Sequence, residues 1–207
     1  MKRFCLYFCL LPVALLTACA SAPKTQYYTL SSASKHTQAL DSAPFAISVA
    51  PVAVPEKVDR PQIVLSDAGG TQVNLLNNSQ WAAPLAEEVR AALALDLSRR
   101  LGVLELALRD APKTLPLWVI HLTVQRFDSI YGDRAVLEAT WRQTPRHGLQ
   151  GKAVVCSAAV TVPVEAGVPA LVEGHQQALA RLAALMADTL SNRAPAVVEG
   201  TVLKGCA

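Results

Sequence analysis

The side chains able to do covalent chemistry in this chain are few, and cysteine leads them. Cysteines stand at positions 5, 9, 19, 156 and 206. Cys19 follows Leu15-Leu16-Thr17-Ala18, where Thr17 and Ala18 are small enough for a processing enzyme to approach the backbone. Its thiolate is a readily alkylated nucleophile. Cys156 and Cys206 form a second group, a disulfide candidate in an oxidising compartment. A bridge between them would close a loop of about 50 residues, stabilising by at most ~4 kcal/mol. A buried free Cys156 with a loose tail thiol is the other reading, since sequence does not supply the geometry a bridge needs. The histidines, at 36, 121, 147 and 175, have no metal-ligand spacing among themselves or with the cysteines. No G-x-S-x-G, H-E-x-x-H or Walker-type glycine loop occurs. His121 falls on the polar side of an alternating run and reads as solvated. Asp59-Arg60 read as a local ion pair or turn contact. The legible chemistry is attachment and cross-linking. Without a nucleotide-binding loop, no nucleotide-driven step is expected of the chain.

The start of the chain explains Cys19. Lys2 and Arg3 precede the apolar residues 4–16 (FCLYFCLLPVALL), which Pro12 interrupts. That run is short for a membrane span of about 20 residues and suits a signal-peptide core. Its end, Leu16-Thr17-Ala18-Cys19, resembles the lipobox of bacterial lipoproteins. The resemblance implies a diacylglyceryl group on the Cys19 thiol, cleavage before Cys19, and acylation of the new amine. With ~0.8 kcal/mol per buried methylene, one chain holds marginally and two or more anchor stably. Ala20, rather than an aspartate, follows the cysteine; this favours the outer membrane. An ordinary secretory signal with a chance cysteine is the competing reading. The predicted organisation is a removed leader over 1–18, a lipidated tether over 19–26 and one domain over 27–207.

Processing would leave 189 of the 207 residues, enough for one sizeable core. Losing Lys2 and Arg3 takes the formal charge from +3 to +1. Basic residues are scattered, with no run longer than Arg99-Arg100 and no interleaved aromatics. Nucleic-acid binding is therefore not expected. No segment after the leader is long and apolar enough to span a membrane.

The elements that must position these residues follow from periodicity. Residues 27–30 (YYTL) are β-prone, and 31–44 read as a polar loop. In FAISVAPVAVP, Phe45, Ile47 and Val49 share a face before Pro51 and Pro55 interrupt. Ile63 to Leu65 continue as a strand, and Gly69-Gly70 mark a turn. A helix is predicted over 84–102: Pro84 suits its first turn, Glu87 and Glu88 its positive end, Arg99 and Arg100 its negative end, and Gly102 its stop. Its stripe of Leu85, Val89, Leu93, Leu97 and Leu101 reads most simply as a core face, with a partner-helix groove as the other reading. Three strands then alternate in period two. Trp118, Ile120, Leu122 and Val124 form one inner face, Leu137, Ala139 and Trp141 the next, and Val154, Cys156, Ala158, Val160 and Val162 the third. Gly132-Asp133 make the first two a hairpin. Residues 103–108 could add a strand. A second helix is predicted over about 169–193, with Leu179, Leu182, Met186 and Leu190 inward. The tail 196–207 has no evident place. The fold class is α+β: a single domain with a mainly antiparallel sheet and two long helices packed on one face.

Four segments in this order, YYTL (27–30), VAPVAVPEKVDRPQIV (49–64), QWAAPLAEEVRAALALDLSRRL (80–101) and LTVQRFDSIYGDRAVLEATW (122–141), resemble the PqiC/YmbA-type lipoproteins. These are auxiliary components of ABC-type and MCE-domain transport systems in double-membraned bacteria. The chain departs from many relatives at Gln80 and Ala83, where they carry Arg and Glu. The resemblance implies a non-enzymatic lipoprotein at the outer membrane, with no cofactor beyond the lipid on Cys19. It implies structural or docking roles for Asp59, Arg60, Pro61, Trp81 and Pro84. The implied partners are an MCE-domain tunnel protein and its inner-membrane transporter subunits, with lipid passing between the membranes. A closed homo-oligomeric ring would suit a ring-shaped partner. An envelope lipoprotein that scaffolds or activates a peptidoglycan or secretion machine shares the same anchor and body. A hydrolase with an unrecognised site is a third class.

Overall fold

The computed structural model describes residues 24–31, 44–196 and 198–207. The predicted leader, Cys19, the first part of the tether, His36 and most of the 31–44 loop lie outside the described residues. The described residues form eight strands and two α-helices: β1 (Gln26–Tyr28), β2 (Ala46–Val49), β3 (Gln62–Ser66), β4 (Val73–Trp81), α1 (Leu85–Leu101), β5 (Leu117–Ile130), β6 (Arg134–Arg146), β7 (Val154–Pro163), α2 (Val168–Leu190) and β8 (Thr201–Cys206). They build a five-stranded sheet in the order β2-β5-β6-β7-β8 and a three-stranded sheet in the order β1-β4-β3.

The long β5–β6 hairpin is the spine. It turns through Gly132, whose φ of 66° suits glycine, and is antiparallel from Ile130↔Arg134 to Leu117↔Arg146. The predicted inward residues of all three strands face the core, with Trp118 and Val154 only partly buried, and His121 is exposed. A register shift between Val124 and Arg126 reverses the alternation. Val124 and then Phe127 are both buried as a result. The α1 stripe from Leu85 to Leu101 is buried throughout, and Gly102 ends the helix at φ 65°. In α2 the stripe of Leu179, Leu182, Met186 and Leu190 is buried. At Gly174 this helix lies so close to the sheet that a Cβ would sit 2.3 Å from the Val164 side chain.

The pairing is mainly antiparallel, as predicted, but not purely so: four strand pairs are antiparallel and two are parallel. β1 runs parallel to β4, and β2 parallel to β5. Both pairs join segments distant in sequence, and parallel pairs need such long crossovers. All four residues of β2 are buried, as expected of a strand covered on both faces. Two strands gave no clear sequence signal. β4 is largely polar and exposed on both faces at its start. β8 is an edge strand held to β7. Residues 103–108 contribute one bridge, Glu105 to Ile47, followed by a short 3-10 turn at Leu108–Asp110.

Candidate docking site

Two short loops meet beside the N-terminus of α1. The first runs from the Pro55 turn to β3. Val58 and Asp59 donate their N–H groups to the Pro55 carbonyl at 3.0 and 3.2 Å, and Arg60 N–H donates to Val58 O at 2.8 Å. This is the turn contact foreseen for Asp59-Arg60. No ion pair joins these two side chains among the described residues. The second loop links β4 to α1. Trp81 N–H donates to Pro61 O at 2.8 Å, and Ala82 N–H to Tyr28 O at 2.8 Å, so Trp81-Ala82 is clasped between both neighbouring segments. Pro84 then opens the helix, its carbonyl accepting from Glu87 and Glu88 N–H at 2.9 and 3.0 Å. Its lack of an N–H costs nothing there.

Together the loops enclose a cleft of about 310 Å³ lined by Asp59, Arg60, Pro61, Trp81, Ala82, Ala83 and Pro84. All five residues singled out in the two motifs, Asp59, Arg60, Pro61, Trp81 and Pro84, therefore meet in one place. Apolar walls with one exposed cation and one exposed anion can receive an apolar side chain and pair with charge on a partner. The cleft offers no nucleophile with an adjacent base.

The surroundings hold the cleft rigid. Trp81 is 5% exposed and meets Phe127 edge-on, with ring centroids 6.1 Å apart. Phe127 in turn stacks on His175 of α2 at 3.9 Å. Burial pushes His175 down to about 3, against the smaller opposing pull of the Asp128 charge. The ring is neutral at physiological pH, and its Nε2 pairs with Ser129 Oγ at 2.8 Å. Both residues are 1% exposed, so this Ser–His pair is a core contact that no substrate reaches.

On the other side, Lys57 Nζ reaches Asp128 Oδ1 at 2.9 Å, and Arg126 donates to the other carboxylate oxygen. Burial alone would raise the Asp128 pKa. The hydrogen bonds from Arg126 and Lys57, with their charges, outweigh it and hold the carboxyl below the usual value. Because Lys57 belongs to the Pro55 turn, this pairing fixes the loop that presents Arg60. Behind the α1 terminus, the buried Glu88 carboxylate accepts from Thr29 Oγ1 at 2.7 Å and Leu30 N–H at 2.8 Å. Sequence reasoning placed Glu88 only at the helix dipole. Its position three residues after Leu85, on the apolar stripe, was the available signal for burial. Asp128 had none, since the bulge that turns its strand is invisible in the pattern.

Away from the cleft, Cys156 and Cys206 are disulfide-bonded, with their Cα atoms 4.1 Å apart. This pins β8 to β7. Among the described residues no group of His, Cys, Asp and Glu is arranged to hold a metal, and no helix is long and apolar enough to cross a membrane.

The fold and this pair of loops define a class. The family described as the ABC-type transport auxiliary lipoprotein component matches residues 28–187, and the chain belongs to it. Among solved structures, an uncharacterised protein superposes with a TM-score of 0.63 at 21% identity, covering 81% of this chain and 99% of its own. Protein XCC0632 from Xanthomonas campestris gives 0.57 at 16% identity, covering 80% and 95%. At these identities the likeness shows the fold alone. No curated protein matches the chain.

Proposed function

We propose that this chain is a non-enzymatic, outer-membrane-anchored docking subunit of an MCE-type intermembrane lipid transport system. It is tethered through acylated Cys19 and receives its partner at the Trp81–Arg60 cleft. The observation that carries the reading is the convergence of the D-R-P and W-A-A-P segments on one cleft in a chain of the transport-auxiliary lipoprotein family. A docking subunit needs an anchor, a stiff body and an exposed partner surface. It needs no catalytic group. The stacked Trp81–Phe127–His175 column and the Lys57–Asp128–Arg126 cluster supply the stiffness. Lipid moves within a water-excluding conduit because exposing each methylene costs ~0.8 kcal/mol; this subunit would fix one end of that conduit to the membrane. The test is capture from native envelopes with a soluble Cys19→Ser form. Recovery of an MCE-domain protein as the main partner supports the reading. Enrichment of peptidoglycan or secretion machinery without it overturns the transport role.

A further inference from the structure

β1 pairs with β4 in parallel, Gln26 opposite Ser79 and Tyr28 opposite Trp81. Upstream of Gln26 the chain is thus aimed along β4 towards the turn that joins β3 to β4. β4 extends past this pairing to Val73, with β3 along one edge and, among the described residues, no strand on the other. From Ser79 to Val73 the ribbon covers roughly 20 Å. An extended chain from residue 19 to residue 26 reaches at most about 24 Å. That length limits Cys19 to within about 24 Å of Gln26, which reaches the turn at residues 67–72 but not far beyond it.

The end of the ribbon has the composition of a surface that meets lipid. Val73 and Leu75, 45% and 44% exposed, project from the same face of β4. Asp67 is the only charged residue between 62 and 79. Its carboxylate is occupied by the turn itself, accepting from Gln72 N–H at 2.7 Å and Thr71 Oγ1 at 3.2 Å.

We propose that the β3–β4 ribbon is a second membrane contact, with its tip and the Val73–Leu75 pair resting in the interfacial layer of the bilayer that holds Cys19. The proposal rests on the lipid-anchor reading above. It gives the anchor a direction that acyl chains alone would not. β4 runs from Val73 at the lipid to Trp81 at the cleft, so the ribbon acts as a strut. The cleft stands about 27 Å along that strut, facing the periplasm.

The experiment uses the lipidated full chain carrying Thr71→Cys, whose new thiol is the free one once Cys19 is acylated and Cys156 bonded to Cys206. It is labelled with an environment-sensitive fluorophore and reconstituted into phosphatidylethanolamine–phosphatidylglycerol vesicles with brominated acyl chains. The expected result is flotation with the vesicles and loss of emission, because bromine quenches at contact range. Adding Val73→Asp and Leu75→Asp should leave flotation intact and restore emission. Flotation with emission equal to that of the unlipidated Cys19→Ser form would overturn the contact and leave the anchor standing. Quenching that survives both aspartates would overturn the role of the apolar pair. Absence of lipid mass on Cys19 would overturn the anchor and the contact together.

Discussion

Replacing Glu88 by alanine should loosen the joint between the N-terminal strand, which would bear the tether, and helix α1. The carboxylate is 7% exposed and the Leu30 it serves is 1% exposed. Removing it strands the Leu30 N–H, whose hydrogen bond is 2.8 Å long, in the core. A buried unpaired donor costs about 1–3 kcal/mol, and the lost bonds were to a charged acceptor. Thr29 is exposed, so its hydroxyl recovers water and contributes little. The net expectation is about 2–4 kcal/mol. Glu88→Gln keeps an acceptor for Leu30 and should cost about 1 kcal/mol. The assay is urea unfolding of the leaderless Cys19→Ser form at neutral pH. With a slope near 2 kcal/mol/M, alanine should lower the midpoint by about 1–2 M. An alanine variant within about 0.5 kcal/mol of the parent, or a glutamine variant as damaged as the alanine one, would refute the reasoning.

His175 predicts an acid-side loss of stability. Its folded pKa, pushed to about 3, lies below the ordinary value near 6.5, so the unfolded chain binds the extra proton between those pH values. Stability is fully present above about 6.5 and falls as pH drops, by about 2 kcal/mol at pH 5. Denaturant titrations at both pH values should show this slope, and His175→Gln should flatten it. Asp128→Asn should destabilise by about 2 kcal/mol at neutral pH, less than a fully buried pair, because Lys57 and Arg126 are partly exposed. Hydrogen exchange should show faster opening at the Asp59 and Arg60 amides. Converting Cys156 and Cys206 together to serine removes a cross-link 50 residues apart in sequence. Chain entropy puts the loss at up to ~4 kcal/mol, a fall in Tm of about 8–16 °C by calorimetry.

What the sequence revealed was what amphipathic periodicity can carry. The α1 stripe, the α2 stripe and the alternation of β5, β6 and β7 all bury a continuous apolar face, and all were legible. β4 escaped because it projects into solvent, so neither face needs apolar residues over most of its length. β8 escaped because an edge strand held by a ladder and one disulfide needs little burial, and Val202 in it is 59% exposed. The parallel pairings escaped because alternation says which residues face inward, not which strand lies alongside. The cleft residues were found through family resemblance alone. Nothing in their spacing shows that Arg60 and Trp81 meet, since that requires the Trp81 N–H to Pro61 carbonyl bond. The buried supports behind them, Glu88, Asp128 and His175, are polar residues whose burial only their partners explain.

The docking claim is tested most directly by filling the cleft. Ala82 is an exposed wall residue, so Ala82→Trp should occlude the space with an unchanged Tm. Binding to the purified periplasmic domain of the proposed MCE-domain partner would be measured by calorimetry against the parent protein. The account predicts that affinity falls by about tenfold or more, a loss of at least ~1.4 kcal/mol. A folded Ala82→Trp protein that binds as tightly as the parent would contradict it.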